Sequence, residues 1–121
     1  MNDWNKSQLE AAGVHVEEVL ARFMNNEGLM MRFLIRFPQD PNYRQLCLAI
    51  EAGNHSDAFV AAHTLKGVAG NLAMTHLFRE ISQVVELLRA GEMDQARERM
   101  PVVDAEYRRT VQGLEPFMEQ V

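Results

Sequence analysis

Ala61-Ala62-His63-Thr64-Leu65-Lys66-Gly67-Val68-Ala69-Gly70-Asn71-Leu72 is the stretch on which the reading of this chain turns. It fits the middle of a helix running from about Asn54 to Ala73. A helix advances about 100° per residue, so the segment divides into two stripes. Ala58, Ala62, Leu65, Ala69 and Leu72 recur at the spacing of a buried seam. His63, Lys66, Gly67 and Gly70 form the second stripe, with its centre roughly 140° away. If the first stripe is core, the second faces largely outward. That outer stripe holds an imidazole, an ammonium one turn later and two glycines. A glycine inside a helix costs about 1 kcal/mol relative to alanine. The pair therefore points to something that must come close to His63, with no side chain in its way.

The segments on either side are helical as well. Val14 to Met24 carries Val16, Val19, Leu20 and Phe23 on one face. Asn25-Asn26 breaks it, and Asn26 is placed to cap the next helix, Glu27 to Phe37. That helix is apolar on several sides (Leu29, Met30, Met31, Phe33, Leu34, Ile35, Phe37), as if it touches neighbours on two faces. Pro38 and Pro41 predict a break near residues 37–41. Tyr43, Leu46, Cys47 and Ile50 resume helical spacing as far as Gly53, a C-terminal cap. Asn54 caps the histidine helix, with Asp57 favourably placed in its first turn. Thr75 is read as the cap of a helix to about Ala90, with Leu77, Ile81, Val84, Val85 and Leu88 inward and Gly91 after it. Met93 to Met118 is the last helix; Pro101 is expected to kink it, and Gly113 and Pro116 to fray its end. Residues 1–13 read as an N-terminal tail in which Ser7-Gln8-Leu9-Glu10 fits the capping box of a short or frayed helix and Trp4 packs on the end of the helices. No segment alternates as a strand does, and no repeat is visible.

Long amphipathic helices joined by short turns predict an all-α fold, an antiparallel up-down-up-down four-helix bundle with a short extra N-terminal helix, over residues 14–118. The chain's 121 residues suit one such core. With 47% apolar and 24% charged residues it is globular. A net charge of −5 argues against nucleic acid or anionic membranes as main partners. A single cysteine, Cys47, excludes an internal disulfide. No apolar run reaches the roughly 18 residues of a membrane helix, and the N-terminus lacks a signal peptide's apolar core. A cytoplasmic monomer is the expectation. No Gly-x-x-x-x-Gly-Lys-Ser/Thr loop cradles a nucleotide, and no paired Glu-x-x-His marks a metal site.

His-Thr-Leu-Lys-Gly-x-x-Gly-Asn-Leu, led by Ala-Ala, resembles the core motif of histidine-containing phosphotransfer (HPt) domains. Ile50-Glu51-Ala52-Gly53-Asn54 resembles the family's turn into the histidine helix, and Leu87-Leu88-Arg89-Ala90-Gly91-Glu92 its turn into the last helix. Val16 to Phe23 resembles its short first helix. The likeness spans roughly Val14 to Leu114.

The resemblance implies that His63 carries the phosphoryl group, that Lys66 stabilises it, and that Gly67 is the position of close approach. Gly70 lies on the same stripe and is read with Gly67 as clearing that approach. Imidazole is a good nucleophile near neutral pH, and an ammonium one turn away offsets a phosphoryl charge of about −2. Phe59, Thr64, Val16 and Leu20 are the docking candidates; Phe59 fits a docking surface or the core edge equally well.

The implied function is a phosphorelay intermediate that takes phosphate from a receiver-domain aspartate and gives it to another receiver. The partners are response-regulator receiver domains and a hybrid sensor histidine kinase. No cofactor is expected, the Mg²⁺ being the receiver's. The chain is then a phosphocarrier and not an autonomous kinase. The alternative is a helical adaptor that docks receivers or kinases without carrying phosphate. In two places the chain departs from the family. Val85 stands 22 residues after His63, where some relatives have a glutamine that orients the ring; Gln83 or Glu86, a water or a backbone carbonyl are the substitutes considered. Ala73-Met74 replaces the more usual Gly-Ala.

Overall fold

Asn2 caps the first helix, α1 (Asp3–Ala11), by accepting the Asn5 amide at 2.7 Å. The computed structural model describes residues 1–119. The stretch read as a tail thus carries a helix, and Ser7 lies inside it rather than at its cap. Asn2 already supplies the extended backbone and the acceptor oxygen that the first amides need. Leu9 and Ala12 are buried, and the Trp4 ring lies 6.0 Å from that of Phe117.

His15 opens α2 (Val16–Arg22), its Nδ1 accepting the Glu18 amide at 3.3 Å. Met24 and Asn25 turn the chain with φ of 53° and 63°. Asn26 then caps α3 (Glu27–Arg36) through the Leu29 amide at 3.0 Å. Met30, Leu34 and Phe37 enter the core, and the more exposed Phe33 lies 5.3 Å from the ring of Phe23, so α3 meets both α7 and α2. The prolines produce the expected break, a 3₁₀ turn at Phe37–Gln39 before α4 (Asn42–Ala52). Gly53, at φ 69°, ends α4 in a left-handed conformation that costs glycine little.

Then come α5 (His55–Asn71), α6 (Thr75–Arg89) and α7 (Met93–Met118). Thr75 is the first residue of α6 and not its cap, because the Met74 carbonyl already accepts the Phe78 amide at 2.8 Å. Apart from one isolated bridge between Val14 and Met74, the described residues hold no β structure. The fold is all-helical. α5 packs along both α4 and α6, α6 along α7, and α7 also touches α1, α3 and α4. Two- and three-residue connections keep α4, α5, α6 and α7 adjacent in turn.

Pro101 does not break α7, and neither Gly113 nor Pro116 frays it, since Leu114 and Phe117 are buried beyond them. Gly113 has a packing role. A Cβ built on it would stand 2.3 Å from the Cβ of Ala12, so the end of α1 rests directly on the backbone of α7. Elsewhere α7 meets α4 through Tyr43, which stacks on Tyr107 at 3.8 Å and donates its hydroxyl to Asp104. Arg108 Nε donates to the other Asp104 oxygen at 2.7 Å. Burial, then its own hydrogen bond to Asp104, pushes the Tyr43 phenol far above its ordinary range. Cys47, half-buried beside it, has its thiol pushed up by burial.

Gly113→Ala should cost about 1–3 kcal/mol in urea unfolding through overpacking, despite alanine's helix propensity; an unchanged or raised midpoint would refute the close approach. The hydrogen bonds from Tyr43 and Arg108 hold the Asp104 carboxyl below its ordinary 3.8. A depressed folded value stabilises above the unfolded pKa, and that contribution is lost as pH falls through the folded one. In unfolding curves taken across the acid range, the stability gap between wild type and Asp104→Asn should therefore close as pH drops below about 4. A gap that stays constant would contradict it.

Candidate functional site

The site is built on α5. Asn54 Oδ1 accepts the Asp57 amide at 3.0 Å, and Asn54 Nδ2 donates to Asp57 at 2.9 Å, so the cap satisfies one of the free amides of the first turn. The His55 ring contacts the Leu88 carbonyl, tying the start of α5 to the end of α6. Ala58, Ala61, Ala62, Leu65 and Ala69 are buried. The opposite side carries His63 and Gly67, both exposed, with Lys66 and Gly70 half-buried.

Hydrogen bonds from its own last turn and from α2 hold the far end of α5. Its last turn closes through the Ala73 amide to Gly70 oxygen at 3.1 Å and the Met74 amide to Ala69 oxygen at 2.9 Å. This geometry puts Ala73 at φ 53°, in the region that favours glycine. The His15 amide donates to the Ala73 carbonyl at 2.8 Å, so α2 starts against this turn. Arg22, at the end of α2, donates to the Gly70 carbonyl and holds Glu18 at 2.5 Å.

These elements enclose a cleft of about 460 Å³. His63, Lys66 and Gly67 form one wall, Glu18 and Arg22 another, and Phe78 of α6 a third. The His63 ring lies 5.8 Å from that of Phe59, and the Arg89 guanidinium sits 5.3 Å from the far partner of that pair, the Phe59 ring centroid. Lys66 Nζ stands 5.7 Å from the Phe78 ring centroid. Among the described ion pairs none involves Lys66. Its charge is therefore available to an anion, whereas Glu18 and Glu86 are taken up by Arg22 and Arg89.

The structure thus brings His63, Lys66 and Gly67 together. Two other expectations change. Gly70 is not an open approach: a Cβ there would meet two carbons of the Phe78 ring at 3.1 and 3.2 Å, so its missing side chain makes room for a neighbouring helix. Val16 is only 2% exposed, because α2 lays its valines on the core, and it is not a docking surface. Leu20 and Phe59 are half-buried against the same core, and Arg89 covers part of Phe59. Thr64 is exposed, with its hydroxyl donated to the Val60 carbonyl at 2.8 Å. Val85 is fully buried, so that position faces the core and not the imidazole. Gln83 and Glu86 are exposed and, among the described residues, neither hydrogen-bonds the His63 ring. Arg22, Phe78 and Arg89 carry no signal in the sequence. Arg22 and Phe78 reach the cleft from two other helices, and Arg89 reaches Phe59 beside it, at separations that helical periodicity does not register.

The family model of Hpt domains matches residues 39–113. The chain belongs to the Hpt family. Hpt domains are phosphocarriers of two-component signalling rather than kinases, and they work with receiver domains and kinases. No match was found among curated proteins or among solved structures. The matched stretch holds all of α4, α5 and α6, hence the His63 wall of the cleft. It leaves out α1, α2 and α3, so the Arg22 wall lies outside the matched residues. No helix among the described residues is long and apolar enough to cross a membrane.

Among the described residues, a Cβ on Gly67 would meet nothing within 4 Å. Nothing in the fold therefore requires that glycine, and alanine there should raise stability by about 1 kcal/mol through helix propensity alone. Thermal unfolding of Gly67→Ala measures this; a lower melting temperature would show that the chain itself needs the gap.

Proposed function

We propose that this Hpt protein is a phosphorelay intermediate. His63 accepts a phosphoryl group from the aspartate of one receiver domain and passes it to the aspartate of another. The observation that carries the reading is a water-facing imidazole at the motif's histidine, beside an ammonium with no carboxylate partner among the described residues. In the forward step the lone pair of a ring nitrogen attacks phosphorus. A P–N bond forms, the P–O bond to the receiver breaks, and the aspartate leaves as a carboxylate; donation to the next receiver reverses this. Lys66 offsets the charge of the bound phosphoryl group. Gly67 lets the receiver's active site close over the ring, with Phe59, Thr64 and Leu20 at the edge of the docking surface. The reading assigns Mg²⁺ to the receiver, and a sensor kinase to the head of the relay. It also takes the helices as an antiparallel up-down-up-down four-helix bundle, acting as a monomer in the cytoplasm.

The test is incubation with a phosphorylated receiver. Wild-type protein should take up label that is acid-labile and base-stable, and His63→Gln should take up none while its helicity and melting stay near wild type. Label on the variant would remove His63 from the mechanism. Receiver binding with no label on either protein would establish the adaptor reading instead. Lys66→Ala should slow transfer roughly tenfold, the scale of one charge-assisted contact.

A further inference from the structure

Lys66 has four rotatable bonds, and on a bare helix face its ammonium would be spread over many positions. Here it is not on a bare face. Its Nζ lies 5.7 Å from the Phe78 ring centroid, within the range of a cation–π contact. Phe78 is 37% exposed, so its ring is part of the cleft wall and not of the core. What seats the ring is Gly70. Two ring carbons lie so close to the glycine that a Cβ would stand 3.1 and 3.2 Å from them. The Ser82 hydroxyl donates to the Phe78 carbonyl at 2.6 Å, further tying that turn of α6.

We propose that Phe78 is the positioning residue for Lys66: lodged in the notch left by Gly70, its ring holds the ammonium at the rim of the His63 cleft. The inference rests on the reading of His63 as the phosphoryl carrier. An aromatic ring suits the task for an electrostatic reason. A carboxylate would hold Lys66 more tightly, but it would cancel the positive charge and repel the phosphoryl group. A ring face restrains the ammonium and leaves its charge in place. The side chain is then ordered before phosphate arrives, so less freedom is lost on transfer.

The experiment compares full-length wild type with Phe78→Leu, Phe78→Tyr and Gly70→Ala. Phe78→Leu keeps apolar bulk and loses the ring; Phe78→Tyr keeps the ring. The first readout is the NMR shift of the Lys66 ε-CH₂ protons in unphosphorylated protein, which lie in the ring current of Phe78. The second is the rate of transfer from a phosphorylated receiver, with urea unfolding as a check on the fold. Phe78→Leu should abolish the ring-current shift and slow transfer by about two- to fivefold, the population change a solvent-exposed cation–π contact carries. Phe78→Tyr should retain both. Gly70→Ala, which pushes the ring aside, should behave like Phe78→Leu. In a Lys66→Ala background, Phe78→Leu should slow transfer no further, which a merely structural ring would not predict. Unchanged Lys66 shifts in Phe78→Leu, or an equal slowing in both backgrounds, overturns the positioning role alone. Wild-type protein that takes no label overturns the carrier reading and this inference with it.

Discussion

The rest of the structure depends on the seam of small side chains along α5. Ala58, Ala62, Leu65 and Ala69 have no exposed surface, and Ala61 almost none. α5 is held between α4 and α6 by this seam, and small residues let both neighbours come close. Once that side is buried, helical geometry fixes the direction of everything opposite. An imidazole and an ammonium on the buried side would have to give up their hydration, at a cost of several kcal/mol. On the open side they keep it. His63 stands in water because the alanines beneath it are dry.

The ends of the cleft are set by other elements acting on the last turn of α5. The Gly70 carbonyl takes a hydrogen bond from the Ala73 amide and another from Arg22. Ala73 adopts φ 53°, a conformation that costs an L-residue about 1–2 kcal/mol. It is held there by the closing bonds of the helix and by the His15 amide from α2. The short helix α2, only seven residues long, is thereby fixed against the site and brings Arg22 and Glu18 to its edge. On the other side α6 contributes Phe78 and Arg89, each forming a ring–cation contact with a residue of α5. The surroundings of His63 are thus cationic and aromatic, and the nearby carboxylates are already paired. That suits a group which gains negative charge when it works.

Much of this was legible in the residues. The caps Asn26, Asn54 and Gly53, the break at Pro38 and Pro41, and the inward face of α6 all follow from local chemistry, which acts within a few residues. The errors lie where local chemistry was outvoted. Ser7 has the pattern of a cap, but Asn2 starts the helix earlier. Gly113 and Pro116 look like the end of a helix, yet packing of Leu114, Phe117 and Ala12 carries α7 through them. Val16 shares a face with Leu20, but only the contact with the body of the protein shows which of the two is sealed.

The two glycines of the motif mark the boundary between the kinds of information. Periodicity alone put Gly67 and Gly70 on the His63 stripe, because 3.6 residues per turn is a property of the backbone and needs no partner. It also separated the alanine seam from the histidine and named His63, Lys66 and their spacing. What lies above each glycine is a matter of which other helix arrives there, over distances in sequence that no local pattern encodes. Gly67 is left facing open space and Gly70 lies under the ring of Phe78. The chain by itself determined the helix, its two faces and the chemistry it displays. The tertiary structure decided which gap stays open and where Arg22, Phe78 and Arg89 come to rest, because only packing brings separate helices into contact.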